Sequence, residues 1–147
     1  QAIDITWPQA RAFGVLIDRS AAQKTDLWVL GDAAPLVRAF VNLLSNAINA
    51  SPQESTIRCA VIRDGGFIHA SVCDEGPGLP PARRADPFAR FGYTRLATGA
   101  RGSGLGLAYV AAVARQCDGD VSYADGETGG AHFTLRLPIW EDMELEG

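Results

Sequence analysis

The stretch Phe40-Val-Asn-Leu-Leu-Ser-Asn-Ala-Ile-Asn-Ala-Ser51 sets the frame for the rest of the chain. Leu36, Phe40, Leu43, Leu44 and Ala47 recur at helical spacing, the mark of an amphipathic helix with one apolar face. Asp32 stands ahead of it as an N-cap, with Pro35 in the first turn. Ser51-Pro52 closes it, because the residue before a proline resists the helical region. Asn42, Asn46 and Asn49 fall at i, i+4 and i+7, and at about 100° per residue they form one polar line along the helix. Asn is only a middling helix former, so three on one line ask for a reason. An amide oxygen is a hard ligand for Mg²⁺, and the amide NH₂ donates to phosphate. A solvated helix face explains the same pattern, and the helix alone does not choose between them.

The 147 residues suffice for one domain with a real core, and 47% apolar with 20% charged residues is a globular composition. A net charge of −4 argues against nucleic acid as a partner. No apolar run approaches the roughly 18 residues of a membrane-spanning helix. Gln1-Ala-Ile-Asp has neither the basic start nor the apolar run of a signal peptide, and a start without Met reads as a piece cut from something longer. Cys59, Cys73 and Cys117 are odd in number and scattered through apolar contexts. They read as free thiols in a reducing compartment, with no zinc spacing. His69 and His132 are isolated and read as structural.

In chain order, Asp4-Ile-Thr is expected as a short strand and Pro8 to Asp18 as a helix, followed by a strand at Asp26-Leu-Trp-Val-Leu-Gly-Asp. After the asparagine helix, Ser55 to Arg63 alternates with Ile57, Cys59 and Val61 on one face. Asp64-Gly-Gly is a hairpin turn, and Phe67 to Asp74 is the return strand. Ile68, Ala70, Val72 and Asp74 share one parity, so a carboxylate prolongs the apolar side of that strand. Such a group is costly unless something hydrogen-bonds to it; the plainer alternative is an acid capping the next turn. Gly76-Pro-Gly-Leu-Pro-Pro then breaks regular structure. A long connection to about residue 101 follows, holding Arg83, Arg84, Arg90, Arg95 and Arg101, with Phe88 and Phe91 as anchors. A connection of that length suggests a mobile lid over residues 79–101. Gly102-Ser-Gly-Leu-Gly-Leu-Ala opens a helix to about Cys117 that is apolar nearly all round and therefore expected to be buried. Asp120 to Ala124 and Ala131 to Leu137 form a closing hairpin, and an acidic tail occupies residues 139–147. No repeat or linker divides the chain, which is expected to be one domain over residues 1–147.

Glycines ahead of a helix suit phosphate, held by backbone N–H groups and the positive end of the helix dipole. A Walker A loop is excluded because Gly-Lys-Ser/Thr is absent, and the Gly-x-Gly-x-Gly spacing is not that of a dinucleotide fingerprint. The ordered set is more specific. Asn42-Leu-Leu-Ser-Asn46-Ala, Asp74-Glu-Gly76-Pro-Gly78, Phe88-Ala-Arg-Phe91 and Gly102-Ser-Gly104-Leu-Gly106-Leu, closed by Gly129-Gly-Ala-His-Phe-Thr-Leu-Arg-Leu-Pro, resembles the ATP-binding catalytic domain of sensor histidine kinases. The stretches match that family's N, G1, F and G2 boxes and cover nearly the whole chain.

The resemblance implies the Bergerat fold, an α+β two-layer sandwich: a mixed, mostly antiparallel sheet of about five strands against about three helices. It implies ATP and Mg²⁺ as cofactors, with Asn46 on the metal and Asn42 beside it in the catalytic set. Asp74 matches the acid that accepts from the adenine amino group, with Gly76 and Gly78 letting backbone approach the base. Arg101, Gly102, Ser103, Gly104, Leu105 and Gly106 match the phosphate loop. Asn49 belongs to the nucleotide-binding set but stands where the family usually has lysine or arginine, and Ala50 where an aromatic often packs. The strand region at Ala21 to Asp26 is also shorter than usual. Asn42 replaces the water-activating glutamate of hydrolytic relatives; an amide is no general base, so the reading tilts to phosphoryl transfer.

The implied function is transfer of the γ-phosphoryl of Mg-ATP to a histidine in a separate dimerisation and phosphoacceptor domain, and through it to a response regulator. A cytoplasmic setting without direct membrane contact goes with this, whether or not the parent is membrane-anchored. The acceptor motif, His-Glu/Asp-Leu-Arg, is absent from the chain. Two rivals remain: a degenerate nucleotide- or partner-binding module, which Asn49 and Ala50 favour, and a gyrase- or chaperone-like ATPase, which Asn42 disfavours.

Overall fold

The structure, a computed structural model, describes residues 2–21, 33–81, 85–88, 106–126 and 129–139. The strand expected at Asp26 to Asp32, the N-cap Asp32, the lid at residues 82–84 and beyond residue 88 with Phe91, the phosphate-loop residues 101–105 and the tail from residue 140 lie outside these. The described chain runs α1 (Ala2–Ala12), β1 (Leu16–Ala21), α2 (Ala33–Ala50), β2 (Thr56–Asp64), β3 (Phe67–Cys73), α3 (Gly106–Gln116), β4 (Asp120–Asp125) and β5 (Ala131–Pro138).

One sheet of order β1-β2-β3-β5-β4 forms the first layer. β1 lies parallel to β2 and every other pairing is antiparallel, so the sheet is mixed and mostly antiparallel as expected. The three helices form the second layer, which makes this the α+β sandwich that the resemblance implied. The strands alternate because one face is covered: Ile68, Ala70 and Val72 of β3 and Phe133, Leu135 and Leu137 of β5 are buried. His69 of β3 and His132 of β5 have the opposite parity, on the face away from the helices. α2 supplies the other half of the core, with Ala39 and Leu43 fully buried and Leu44, Ala47 and Ile48 nearly so. The Asp64-Gly65-Gly66-Phe67 turn joins β2 to β3 with Asp64 paired to Phe67, and Gly65 sits at φ +62°.

The N-terminal expectation is overturned. Asp4 to Thr6 is helix rather than strand, and the helix expected over Pro8 to Asp18 ends at Ala12, with β1 following at Leu16. Pro8 lies inside α1 instead of starting it. The inward line is Thr6 and Ala10, with Ala2 and Ile3 packed against the core, while Trp7 and Phe13 are exposed. Hydrophobicity misleads here, because the aromatic residues Trp7 and Phe13 face solvent. What ends α1 is a Schellman cap: Gly14 N–H donates to the Arg11 carbonyl at 3.1 Å and Val15 N–H to that of Ala10 at 2.9 Å, with Gly14 at φ +69°. Val15 and Ala10, the pair that such a cap brings together, are both buried.

α3 is not buried all round. Leu107, Val110, Ala111, Val113 and Ala114 face inward, whereas Tyr109 is half-buried and Arg115 and Gln116 are exposed. Its alanines carry no polarity and so look apolar on both faces. It ends in a second Schellman cap, in which Asp118 N–H donates to Arg115 O and Gly119 N–H to Ala114 O at 2.8 Å, with Asp118 itself at φ +60°. All three cysteines are free, and burial with the nearby charge of Asp18 pushes the Cys59 thiol up to about 11.

Candidate nucleotide site

Asp74 follows the last residue of β3 and stays on its inner side, 3% exposed among apolar neighbours. Burial raises its pKa above the ordinary carboxylate value, while hydrogen bonds from the Ala131 and Gly76 backbone pull it back. Gly76 N–H donates to Asp74 Oδ1 at 2.8 Å and Ala131 N–H donates to the same oxygen at 3.1 Å. Oδ1 is therefore held by two backbone donors, one local and one from a strand far along the chain; neither bond falls on Oδ2. Asp74 is thus more than a cap on the next turn.

Glycines bring these parts together. A Cβ on Gly76 would collide with the Ala50 carbonyl at the end of α2, and a Cβ on Gly130 would collide with the Asp74 carbonyl. The asparagine helix, the Asp74 loop and the start of β5 thus meet through backbone contact that side chains would block. Gly78, at φ +77°, leaves 3.1 Å between a built Cβ and the Tyr123 hydroxyl. The loop is also tied by Glu75 Oε1, which accepts from Thr56 N–H at 2.8 Å.

Midway along α2, Asn42 Nδ2 donates to the Gly106 carbonyl at 3.3 Å, which joins the helix to the first turn of α3. Asn46 is exposed between the two contacts, and Asn49, also exposed, accepts from Gln9 Nε2 of α1 at 3.4 Å. From Ala50, beside Gly76, to Asn42, beside Gly106, the helix rises about 12 Å. Arg101, Gly102, Ser103, Gly104 and Leu105 lie outside the described residues, so only Gly106 of the expected phosphate loop is placed.

Several contributors escaped the sequence reading. Ala131 acts through its backbone N–H and Gly130 through its missing side chain, and the only sequence signal for either is the Gly129-Gly pair before a strand. Leu79 N–H donates to the Tyr123 hydroxyl at 3.0 Å, and nothing in the pattern of β4 announces that contact.

A buried carboxylate with one oxygen engaged by backbone suits an amino group on a ligand, and an exposed amide oxygen at Asn46 suits a hard cation. Among the described residues no group of three or more acid, histidine or cysteine side chains could hold a metal.

Comparison with known proteins defines the class to which this fold belongs. The model of the histidine kinase-, DNA gyrase B- and HSP90-like ATPases matches residues 31–141. The mycobacterial sensor histidine kinase MprB has a solved structure that superposes with a TM-score of 0.71 at 31% identity, over 96% of this chain and 94% of that one. Full-length ShkA in complex with AMPPNP superposes with a TM-score of 0.77 at 29% identity, over 97% of this chain and 29% of that one. Among curated proteins, the sensor-like histidine kinase SenX3 of Mycobacterium tuberculosis is 40% identical over 116 residues, 78% of this chain and 28% of SenX3. The sensor protein CreC of Escherichia coli is 36% identical over 113 residues, 77% of this chain and 24% of CreC. The chain belongs to the histidine kinase-, DNA gyrase B- and HSP90-like ATPase family, among the ATP-binding catalytic domains of sensor histidine kinases. It spans under a third of the length of the curated relatives it matches. No helix among the described residues is long and apolar enough to cross a membrane.

Proposed function

We propose that this chain, acting as one domain, binds Mg-ATP along α2, with the base at Asp74 and the phosphates toward Gly106. It then presents the γ-phosphoryl to a histidine on a separate dimerisation and phosphoacceptor domain, for passage to a response regulator in the cytoplasm. The observation that carries the reading is the buried Asp74, whose Oδ1 is taken up by Gly76 and Ala131 N–H while neither of those bonds engages Oδ2. In this role Asp74 Oδ2 accepts from the adenine amino group, and Gly76 and Gly78 let the loop backbone lie close to the ring. Asn46 holds Mg²⁺, whose chemistry is to neutralise charge on the phosphates. Asn42 fixes the start of α3, and the phosphate loop over residues 101–106, with Asn49 near the helix end, completes the set.

Phosphoryl transfer asks mainly for positioning and charge neutralisation, which amides and backbone donors supply. Nothing in Asn42 can take a proton from water as a carboxylate would, which favours transfer over hydrolysis. His69 and His132 lie on the sheet face away from α2, so neither can receive the phosphoryl from a nucleotide bound between α2 and the Asp74 loop. The test is incubation with labelled ATP, alone and with a helical hairpin bearing a His-Glu-Leu-Arg acceptor. Acid-labile, base-stable label on the hairpin and none on the chain is expected. Label on the chain alone, or rapid phosphate release, would overturn the assignment.

A further inference from the structure

The loop that leaves Asp74 has a second fastening at its far end. Tyr123 lies on the inner face of β4, its ring centroid 5.2 Å from that of Phe133. Its hydroxyl donates to Asp125 Oδ1 at 2.9 Å and accepts from Leu79 N–H at 3.0 Å. A hydroxyl that donates to a carboxylate becomes a better acceptor, since chained hydrogen bonds polarise one another. Asp125 therefore strengthens the bond to Leu79 as well as orienting the hydroxyl. Asp125 is two residues from Tyr123 on the same strand, so both side chains project to one face. Phe133 in turn receives Phe88 edge-on at 6.0 Å, and Leu79 and Phe88 both pack against the core.

We propose that Tyr123, oriented by Asp125, is a positioning residue for the adenine end of the nucleotide site. This rests on the nucleotide reading given above. Asp74 Oδ1 sets the near end of the loop through Gly76, and the Tyr123 hydroxyl sets the far end through Leu79. Between them, Gly78 turns at φ +77°, a conformation that strains any residue with a side chain, and a Cβ there would lie tightly against the Tyr123 hydroxyl and the Gly129 carbonyl. The loop that would cover the base is thereby held at one distance from Asp74 before any ligand arrives, and binding does not have to order it.

The experiment is calorimetry on the full chain with adenosine and with a non-hydrolysable ATP analogue, paired with amide exchange at Leu79 by NMR. Tyr123→Phe should weaken both ligands by the same factor, about twofold to tenfold, the scale of one net hydrogen bond. The Leu79 amide should exchange faster in that variant. Asp125→Ala, at an exposed position, should give a smaller loss of the same kind, and Asp125→Asn, which keeps an acceptor oxygen, should recover most of it. Adding Asp125→Ala to Tyr123→Phe should cause no further loss.

Wild-type chain that binds neither ligand would remove the nucleotide reading itself. Wild-type binding that Tyr123→Phe leaves unchanged would overturn only the role of Tyr123. A loss confined to the ATP analogue would also overturn it, because it would place the effect at the phosphates. Should Tyr123→Phe not fold, Asp125→Ala decides: normal affinity and normal Leu79 exchange would refute the proposal.

Discussion

Replacing Asp74 by Asn separates what this residue does for the ligand from what it does for the fold. The amide has one oxygen and one NH₂, and Gly76 and Ala131 N–H both point at the Oδ1 position, so the oxygen must sit there. The NH₂ is then fixed at the Oδ2 position, where it would face the adenine amino group donor to donor. Rotating the amide would set the NH₂ against two backbone donors, which is worse. The charge-assisted bond lost is worth about 1.5–3 kcal/mol, or about 10- to 150-fold in affinity for adenine nucleotides.

Stability should move the other way. Burial raises the folded pKa of Asp74, so its contribution to stability is present below the unfolded value and is lost as pH rises through the folded one. At pH 7 the buried charge weighs against the fold, and Asp74→Asn should melt at the wild-type temperature or above it. Asp74→Ala, which leaves two buried N–H groups unpaired, should melt below it. Calorimetry with the ATP analogue and thermal melts of the free protein supply both numbers, with Asn49→Ala as the comparison. Asn49 is exposed and makes one long bond to Gln9, so its loss should change affinity by about twofold at most. Equal losses in Asp74→Asn and Asn49→Ala would show that Asp74 does not read the base.

Three further outcomes follow from the same geometry. Adenosine affinity, measured by calorimetry in place of ATP so that phosphate titration does not intrude, should fall as pH drops through the raised pKa of Asp74; in Asp74→Asn it should stay flat over that range. Gly130→Ala should lower the melting temperature by several degrees and weaken nucleotide binding together, because its Cβ meets the Asp74 carbonyl and such overpacking costs about 1–3 kcal/mol. Asp118→Gly should raise stability by up to about 1 kcal/mol in denaturant titration, since it relieves a left-handed non-glycine residue in the cap of α3; an unchanged midpoint would show that the aspartate side chain already offsets the strain.

By itself the sequence determined whatever depends on local periodicity and on residue chemistry. α2 and the β2–β3 and β4–β5 hairpins appear in it within a residue or two, because each has a strong period and a turn residue where backbone geometry demands one. Asp74 stood out on parity alone, an acid in line with Ile68, Ala70 and Val72, and the spacing of the glycine and asparagine motifs carried the family resemblance. The start of the chain was not legible. Trp7 and Phe13 are strongly apolar yet exposed, whereas Thr6 is buried with its hydroxyl donating to the Ala2 carbonyl at 2.9 Å, so hydrophobicity pointed to the wrong face. Packing against α2 decided that α1 is a helix, and pairing with β2 decided that Leu16–Ala21 is a strand. The candidate site divides in the same way. Which oxygen of Asp74 is engaged depends on Ala131, 57 residues away, and the far end of its loop depends on Tyr123, 44 residues from Leu79. No local pattern encodes those bonds, because each joins groups that only the closed sheet brings within reach, and one partner in each is a backbone N–H that every residue but proline possesses.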